Sequence, residues 1–335
     1  QLSGFLRCRL FEHYCLYCSQ KWSLIPIGLV LGFYVDVVVK RWWNQFLHIP
    51  WPDEIAMLLS TYVIDDSTRT KRKLNTVLRY INLSYILSMR RISSRVKKRY
   101  PLDQNLGADG IATPNELKRL QSSAPKNKQY WYAIPIFWAS HLVSELRSLG
   151  IIISDHGVEA ILKRLQVFRS SLARLNIYNM INFPLGFTQV ATLTTYSYYI
   201  SSIFGWQFLD VKQNYDHRKV DLYVPVIGIL RLIFYSGWLK VAEALINPFG
   251  EDVDDFEIDE YIKRNLQLSS FIIEKLHDEA PPLCDGVILA EAPEIRVGTR
   301  NERLRHSVCI PVAHRLSAKG ANLFFGTYTD IVKQI

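Results

Sequence analysis

The longest stretch without a charged side chain constrains the fold of this chain more than any other feature. It runs for 35 residues, from Leu175 to Leu209. About 20 predominantly apolar residues are enough for a helix to cross the hydrocarbon core of a bilayer. The stretch therefore predicts a membrane-spanning segment, which we place at residues 177–209.

Two other segments also predict membrane-spanning helices. Residues 222–239 are interrupted only by Arg231, and residues 24–39 are shorter and carry Asp36 near their end. An arginine inside a membrane usually faces protein or water rather than lipid. Residues 131–143 are apolar and aromatic as well, but a run of 13 is more typical of a buried core helix or a re-entrant segment. His141 in this run is predicted to be a hydrogen-bonded core histidine.

The distribution of charge predicts which side of the membrane each region occupies. If residues 131–143 do not span, the basic region 40–174 and everything after Lys240 lie on one side, and the short loop 210–221 lies on the other. Basic regions are retained in the cytosol, so the first side is cytosolic. The region 40–174 shows few strand-like alternations and contains a capped helix start at residues 113–116. The sequence thus predicts an all-α, multi-span membrane protein with long cytosolic helices.

The composition argues against several other classes of protein. Hydrophobic residues make up 49% of the chain, which is too many for general disorder. The net charge is +9, but the basic clusters, such as Lys71-Arg72-Lys73, flank apolar segments, which favours a membrane surface and not nucleic acid as the partner. Cys15-x-x-Cys18 has no second pair to complete a zinc site. The common catalytic motifs are missing from the sequence, so we predict that the chain is not an enzyme.

A turn rich in carboxylates follows the last apolar segment. Asn247-Pro248 ends the helix because proline has no amide donor, and Gly250 permits a tight reversal. Such a turn is either a solvated acidic loop that caps the next helix or a binding site for a cation. Four acidic residues follow closely: Glu251, Asp252, Asp254 and Asp255.

Neighbouring carbonyl groups favour the cation site over the solvated loop. The last carbonyls of a helix have no intrahelical partner, so those near Ala244 and Asn247 can face an ion held by Asp252 and Asp255. Ligation by oxygen alone suits Ca²⁺ or Mg²⁺ rather than zinc. The spacing is not that of an EF-hand loop. Glu251 and Asp254 are further acidic candidates for this site.

Several short motifs resemble those of one known family, in the same order. They are I-P-I-G-L-V-L-G-F-Y-V (25–35), R-W-W-N-Q (41–45), P-W-P-D (50–53), R-Y-x-N-L (79–83), P-L-x-x-T-Q-V (184–190) and R-N-L-Q (264–267), together with the acidic turn. A colinear set of this kind is far more specific than any single short motif. With these motifs the chain resembles the bestrophin family of calcium-activated anion channels, from Phe11 to Ala280.

The resemblance implies a calcium-activated anion channel subunit in the plasma membrane. Ca²⁺ would be its cofactor, chloride and other small anions its permeating species, and membrane lipids its surroundings. A pentamer is implied, built either from identical subunits or with related ones. Residues 1–280 would form the channel domain, and residues 281–335 are predicted to be a poorly ordered tail. Gln1–Glu12 resembles only the end of the family's N-terminal region, so a first transmembrane helix and an N-terminal calcium ligand are expected to be missing.

The resemblance also assigns the narrow neck of the channel to Ile25, Leu29 and Phe33. From spacing alone, apolar residues at every fourth position are ordinarily packing residues on one helical face. Repeated around a pore axis, they would form an apolar constriction that gates by dewetting. Leu29 stands where the animal family commonly has phenylalanine, so conductance or selectivity is expected to differ. A second, cytosolic constriction is expected near residues 154–158.

Two alternatives remain open. The chain could be a non-conducting, modulatory bestrophin-like subunit that associates with full-length relatives, which the expected absence of the first span favours. Asp252, Asp255 and Asp259 also match D-x-x-D-x-x-x-D, a pattern with which membrane prenyltransferases hold magnesium and a diphosphate. Those enzymes need a second aspartate-rich motif and many more spans, and the sequence shows neither.

Overall fold

The computed structural model describes residues 2–21, 24–124, 127–207, 209 and 226–276. The chain divides into two units, Gln1–Ala280 and Pro281–Ile335, and every described residue lies in the first. Apart from one isolated β-bridge, all regular elements in the described residues are helical, which confirms the predicted all-α fold. The predicted tail, 281–335, and the predicted loop, 210–221, lie outside the described residues.

The α-helices differ widely in length. A 3₁₀ turn at Lys128–Tyr130 precedes α8, and a π-helical turn at Ile272–Leu276 follows α12. In chain order the helices are α1 (Leu2–Lys21), α2 (Ile27–Leu47), α3 (Asp53–Tyr62), α4 (Thr68–Ile92), α5 (Ser94–Arg99), α6 (Asp103–Ala108), α7 (Pro114–Ser123), α8 (Ile134–Ser148), α9 (Asp155–Met180), α10 (Leu185–Gly205), α11 (Val226–Leu245) and α12 (Ile258–Phe271).

Four helices, α1, α2, α10 and α11, pack into one group. α1 lies along α10, where the rings of Tyr14 and Phe204 meet edge to face at 5.2 Å. Only one side of α2 is buried in this group. The buried core residues are Leu31, Tyr34, Val35, Val38, Ala191, Leu239 and Ala242.

A second group surrounds α4, which contacts α8, α9 and α12. Residues 81–89 of α4 are all buried, as expected for a helix enclosed by other helices. α8 packs on α4 through one face that includes Ile136, Ala139 and Val143, so the apolar run at 131–143 contributes to a core helix.

His141 lies on the exposed face of α8, and the prediction of a core histidine is wrong. Two residues beyond Ala139, it points away from the buried face.

The predicted span at 177–209 is not one continuous helix. α9 ends at Met180 and α10 begins at Leu185, directly after Pro184. Proline has no amide donor and disfavours helical backbone geometry in the residue before it. The helix therefore breaks here, although the stretch carries no charge.

The other two predicted spans correspond to helices with shifted bounds. Residues 24–39 fall on α2, which starts only after Pro26 and continues to Leu47. Residues 226–239 fall on α11, and residues 222–225 lie outside the described residues. Within the described part of the chain, no helix combines the length and the apolar character needed to cross a membrane.

The predicted helix start at residues 113–116 is confirmed. The Thr113 hydroxyl accepts a hydrogen bond from the backbone N–H of Glu116, and the Glu116 carboxylate accepts one from the backbone N–H of Thr113. Arg79 of α4 donates two further hydrogen bonds to this carboxylate, at 2.6 and 2.7 Å. Burial alone would raise the pKa of Glu116, but these hydrogen bonds outweigh it and lower the pKa to about 2.

Replacing Glu116 with glutamine is expected to lower the free energy of unfolding by about 2 kcal/mol, because the half-buried Arg79 loses its charged partner. Since the folded pKa of Glu116 is depressed, its contribution is present above the ordinary value of 4.5 and is lost as the pH falls toward about 2. Thermal unfolding measured between pH 7 and low pH should show the two proteins converging as the pH falls. A difference that does not depend on pH would contradict this account.

Candidate functional site

The acidic residues lie in a compact turn between α11 and α12. The backbone N–H of Gly250 donates to the carbonyl of Asn247 at 3.3 Å. The backbone N–H of Phe256 donates to the carbonyl of Pro248 at 2.9 Å. These two hydrogen bonds close the turn and bring its ends together just beyond the end of α11.

Among the four carboxylates of this turn, only that of Asp255 belongs to a buried residue. Asp255 is 7% exposed, and its Oδ2 accepts a hydrogen bond from the backbone N–H of Asp252 at 2.7 Å. Burial raises the pKa of the Asp255 carboxyl, and the hydrogen bond and the positive charge of Arg95 offset this only in part. An ionised carboxylate is costly to bury unless a cation pairs with it, so this position fits a bound cation.

Gly250 leaves room for the Asp255 carboxylate. A methyl group added at Gly250 would lie 2.7 Å from Asp255 Oδ2 and 3.5 Å from the carbonyl oxygen of Asn247. Two oxygens that the sequence predicts as ligands therefore border the same small space. Another predicted ligand, the carbonyl of Ala244, belongs to the last turn of α11, where carbonyl groups lack intrahelical partners.

The remaining acidic residues are exposed or have other partners. Glu251 forms a salt bridge with Lys98 of α5 at 2.5 Å. Arg95 of α5 donates to the backbone carbonyls of Glu251 and Asp252, at 3.1 and 2.8 Å. Asp252 and Asp254 are exposed. The structure thus brings Asn247 and the Asp255 carboxylate to the same place, with the backbone N–H of Asp252 bonded to that carboxylate. The carboxylate of Glu251 is paired with α5 instead.

The donor atoms of the turn fit a hard cation. In the described residues no three His, Cys, Asp or Glu side chains are grouped so that they could hold a metal, so a site here would depend on backbone carbonyls as well. The set predicted from the sequence contains only oxygen: two carboxylates, from Asp252 and Asp255, and two carbonyls, from Ala244 and Asn247. Ca²⁺ accepts about six to eight such ligands in flexible geometry and takes water for the rest.

Two phenylalanines connect the acidic turn to α2. Phe249 and Phe256 flank the acidic residues, and their rings meet edge to face with centroids 5.4 Å apart. Phe256 also packs on Trp42 and Phe46 of α2, at 5.4 and 5.6 Å. Sequence reasoning missed both phenylalanines, although an aromatic residue at each end of the acidic run was a visible signal. The turn cannot shift without disturbing its packing on α2.

The first half of α2 carries an apolar face that the described residues do not cover. Leu29 and Phe33 lie on it and are 61% and 66% exposed. Ile25 precedes the helix, which begins only after Pro26, so it does not share the helical face of the other two. The region expected to hold the second constriction, residues 154–158, forms the start of α9.

The chain is similar to known proteins over most of its length. Residues 6–275 match the family described as Bestrophin, RFP-TM, chloride channel. Mouse Bestrophin-2 is 41% identical over 271 residues, which cover 81% of this chain and 53% of that protein. Human Bestrophin-1 is 39% identical over 272 residues, which cover 81% of this chain and 46% of that protein. The chain thus spans about half the length of the curated relatives it matches.

A solved structure has the same fold. The crystal structure of a bacterial bestrophin homologue from Klebsiella pneumoniae superposes with a TM-score of 0.57 at 14% identity, covering 80% of this chain and 98% of that one. At this identity the likeness concerns the fold alone.

The family match confirms the resemblance predicted from the short motifs. It also confirms that the chain is not an enzyme, and the prenyltransferase alternative is rejected.

Proposed function

The chain belongs to the bestrophin family, and we propose that it is a subunit of a calcium-activated anion channel. The observation that carries this proposal is the packing of the acidic turn on α2, whose other face is apolar and uncovered. Ca²⁺ at the turn would control an apolar neck formed by α2, and chloride and other small anions would pass through this neck.

The surfaces of α10 and α11 support a membrane location. Their large apolar side chains are mostly exposed in the single chain, and an exposed apolar surface of this extent indicates contact with lipid or protein. We propose that α2, α10 and α11 lie together in the plasma membrane and that α4, α8 and α9 lie in the cytosol. The exposed apolar side chains include Leu185, Phe187, Val190, Leu193, Ile200 and Ile203 on α10, and Val226, Ile227, Leu230, Ile233, Phe234 and Val241 on α11.

The uncovered face of α2 supports assembly around a pore. Leu29 and Phe33 would form successive rings in a pentamer, with Ile25 at the entrance before the helix begins. Rings of apolar side chains make a constriction that conducts only when it is wide enough to hold water. Phenylalanine ring edges are weakly positive, which favours a passing anion. The partners would be identical subunits or related ones.

The residues of the acidic turn divide the calcium-binding role among them. Asp252, Asp255 and the carbonyls of Ala244 and Asn247 would hold the ion. When bound, Ca²⁺ would supply the positive charge that the buried Asp255 carboxylate lacks. The backbone N–H of Asp252 would hold that carboxylate in place by its hydrogen bond. Phe256, which packs on Trp42, would transmit a movement of the turn to α2. Calcium binding can open the neck only if the ion binds more tightly to the protein with an open neck than to the protein with a closed neck.

Replacing Phe33 with alanine is expected to increase anion flux in the absence of calcium by about tenfold, the effect of about 1.4 kcal/mol on a barrier. The smaller side chain widens the constriction and lowers the cost of keeping it filled with water. Efflux from liposomes that contain the reconstituted protein measures this change. Phe187→Ala, on the proposed lipid-facing surface of α10, is the matched control and should leave the flux unchanged. Equal effects of both substitutions would contradict the assignment of Phe33 to the neck.

Reconstitution of the full chain into liposomes tests the proposed function. We expect calcium-dependent efflux of chloride and iodide, with little efflux of potassium. The absence of anion efflux at every calcium concentration would contradict the proposal. If efflux then appeared only on co-reconstitution with a full-length bestrophin, and depended on this chain, the modulatory alternative would be favoured instead.

A further inference from the structure

A cavity of about 480 Å³ lies where α2, the junction between α9 and α10, and the acidic turn meet. This volume is sufficient for a small ligand or a lipid headgroup. It is separate from the proposed neck, because neither Leu29 nor Phe33 lines it. The polar residues that line it include Arg41, Gln45, Asn179, Asn182, Thr188 and Asn247.

Gln45 gives the first indication that this cavity takes a ligand. The residue is 5% exposed, and its side-chain oxygen is buried without a hydrogen-bond partner among the described residues. The large majority of buried side-chain polar atoms have a hydrogen-bond partner, so this unpaired oxygen calls for an explanation. Because Gln45 lines the cavity, a hydroxyl or N–H group of a ligand there would supply the missing donor.

Arg41 gives the second indication. Its Nη2 donates to the carbonyls of Tyr178 and Ile181, both at 2.7 Å, which holds the guanidinium at the end of α9. Both acceptors are neutral, and the buried Nε has no partner in the described part of the chain. The positive charge is therefore not neutralised by these contacts. An anionic group in the cavity would form charge-assisted hydrogen bonds with it.

We propose that this cavity binds a phosphate ester that carries free hydroxyl groups. The phosphate would pair with Arg41, and a hydroxyl would donate to Gln45. Phosphatidylinositol and phosphatidylglycerol have this chemistry in their headgroups, and so do soluble phosphate esters with free hydroxyl groups. Phe183, Leu185 and Ile246 add an apolar side to the lining, which favours the lipid. That preference rests on the membrane placement proposed above, whereas the site itself does not.

Two binding measurements on the purified full chain in detergent test this proposal. Calorimetry with glycerophosphoinositol probes the soluble ester, and thermal unfolding in micelles of phosphatidylinositol or phosphatidylcholine probes the lipid. We expect Gln45→Leu to weaken binding of the preferred probe about tenfold, the value of one hydrogen bond. We expect Arg41→Gln to weaken it by about tenfold or more, because a charge-assisted bond is lost. The exposed Gln267→Leu and the distant Arg164→Gln are matched controls and should change the affinity less than about twofold.

Gln45→Leu also separates ligand binding from folding. Leucine removes the orphan acceptor at similar size, so the variant without ligand should be at least as stable as the wild type. Arg41→Gln loses two hydrogen bonds at the end of α9. If this variant fails to fold, the binding of Gln45→Leu alone tests the site.

Stabilisation by phosphatidylinositol alone identifies the lipid, and binding of glycerophosphoinositol alone identifies a soluble ester. No binding of either probe, or equal binding by Gln45→Leu and wild type, would overturn the site. Neither measurement requires anion flux, so the channel proposal stands or falls independently.

Discussion

Substituting Asp255 with alanine is expected to raise the calcium concentration for half-maximal anion flux by about 100-fold, equivalent to about 2.7 kcal/mol of binding free energy. Asp255 is the one buried acidic residue of the turn, and its Oδ2 and the carbonyl oxygen of Asn247 both border the space left by Gly250. Calcium affinity depends strongly on the number of charged ligands. Efflux from liposomes, recorded over a range of free calcium, measures the shift.

Asp254→Ala is the matched control for this prediction. It removes the same charge from the same turn, but Asp254 is exposed whereas Asp255 is buried. We expect its calcium dependence to stay within about threefold of the wild type. A shift as large as that of Asp255→Ala would mean that the turn attracts calcium by its overall charge, and the assignment of Asp255 as a ligand would be wrong.

Substituting Gly250 with alanine is expected to weaken the response to calcium by about tenfold, although it removes no charge and no ligand. The added methyl group would lie 2.7 Å from Asp255 Oδ2, closer than the atoms can approach, so the carboxylate has to move. The same flux assay measures this effect, and it tests the geometry of the site rather than its composition.

Gly237→Ala on α11 is the control for Gly250→Ala. A methyl group at Gly237 meets no atom within 4 Å, so this variant carries the same chemical change without the steric conflict. It should respond to calcium like the wild type. If Gly250→Ala also behaved like the wild type, the predicted ligand geometry around Asp255 would have to be abandoned.

The acidic turn packs directly on α2. Phe256 packs on Trp42 and Phe46, and the same helix carries Leu29 and Phe33 on its exposed side. Trp42 and Phe33 are nine residues apart, which corresponds to roughly 13 Å along an α-helix. A change at the turn therefore has a short, rigid path to the proposed neck.

Local signals in the sequence were sufficient for several parts of this structure. Thr113 and Glu116 form the predicted cap because a capping box is made by residues close in the chain. The all-helical fold followed from helical patterning with few strand-like alternations. The lack of charge over residues 177–209 predicts a span but not the break before Leu185, because proline restricts the backbone regardless of polarity.

Contacts between distant residues could not be predicted in the same way. Phe256 and Trp42 are separated by most of the chain, and neither has a local signature that identifies the other. The hydrogen bonds from Arg95 to the backbone of the acidic turn depend on how α5 packs against it. The uncovered face of α2 appears in the sequence only as ordinary helical spacing, which does not tell a packed face from an exposed one.

Accessibility of position 29 to a thiol reagent tests the central claim most directly. Leu29→Cys places a thiol on the face of α2 that we assign to the neck, and a negatively charged, water-soluble thiol reagent can reach it only when the neck holds water. We expect modification at least about tenfold faster with calcium than without it, accompanied by a block of anion flux, and no block in the wild type. Equal rates of modification with and without calcium would contradict control of an α2 neck by the acidic turn.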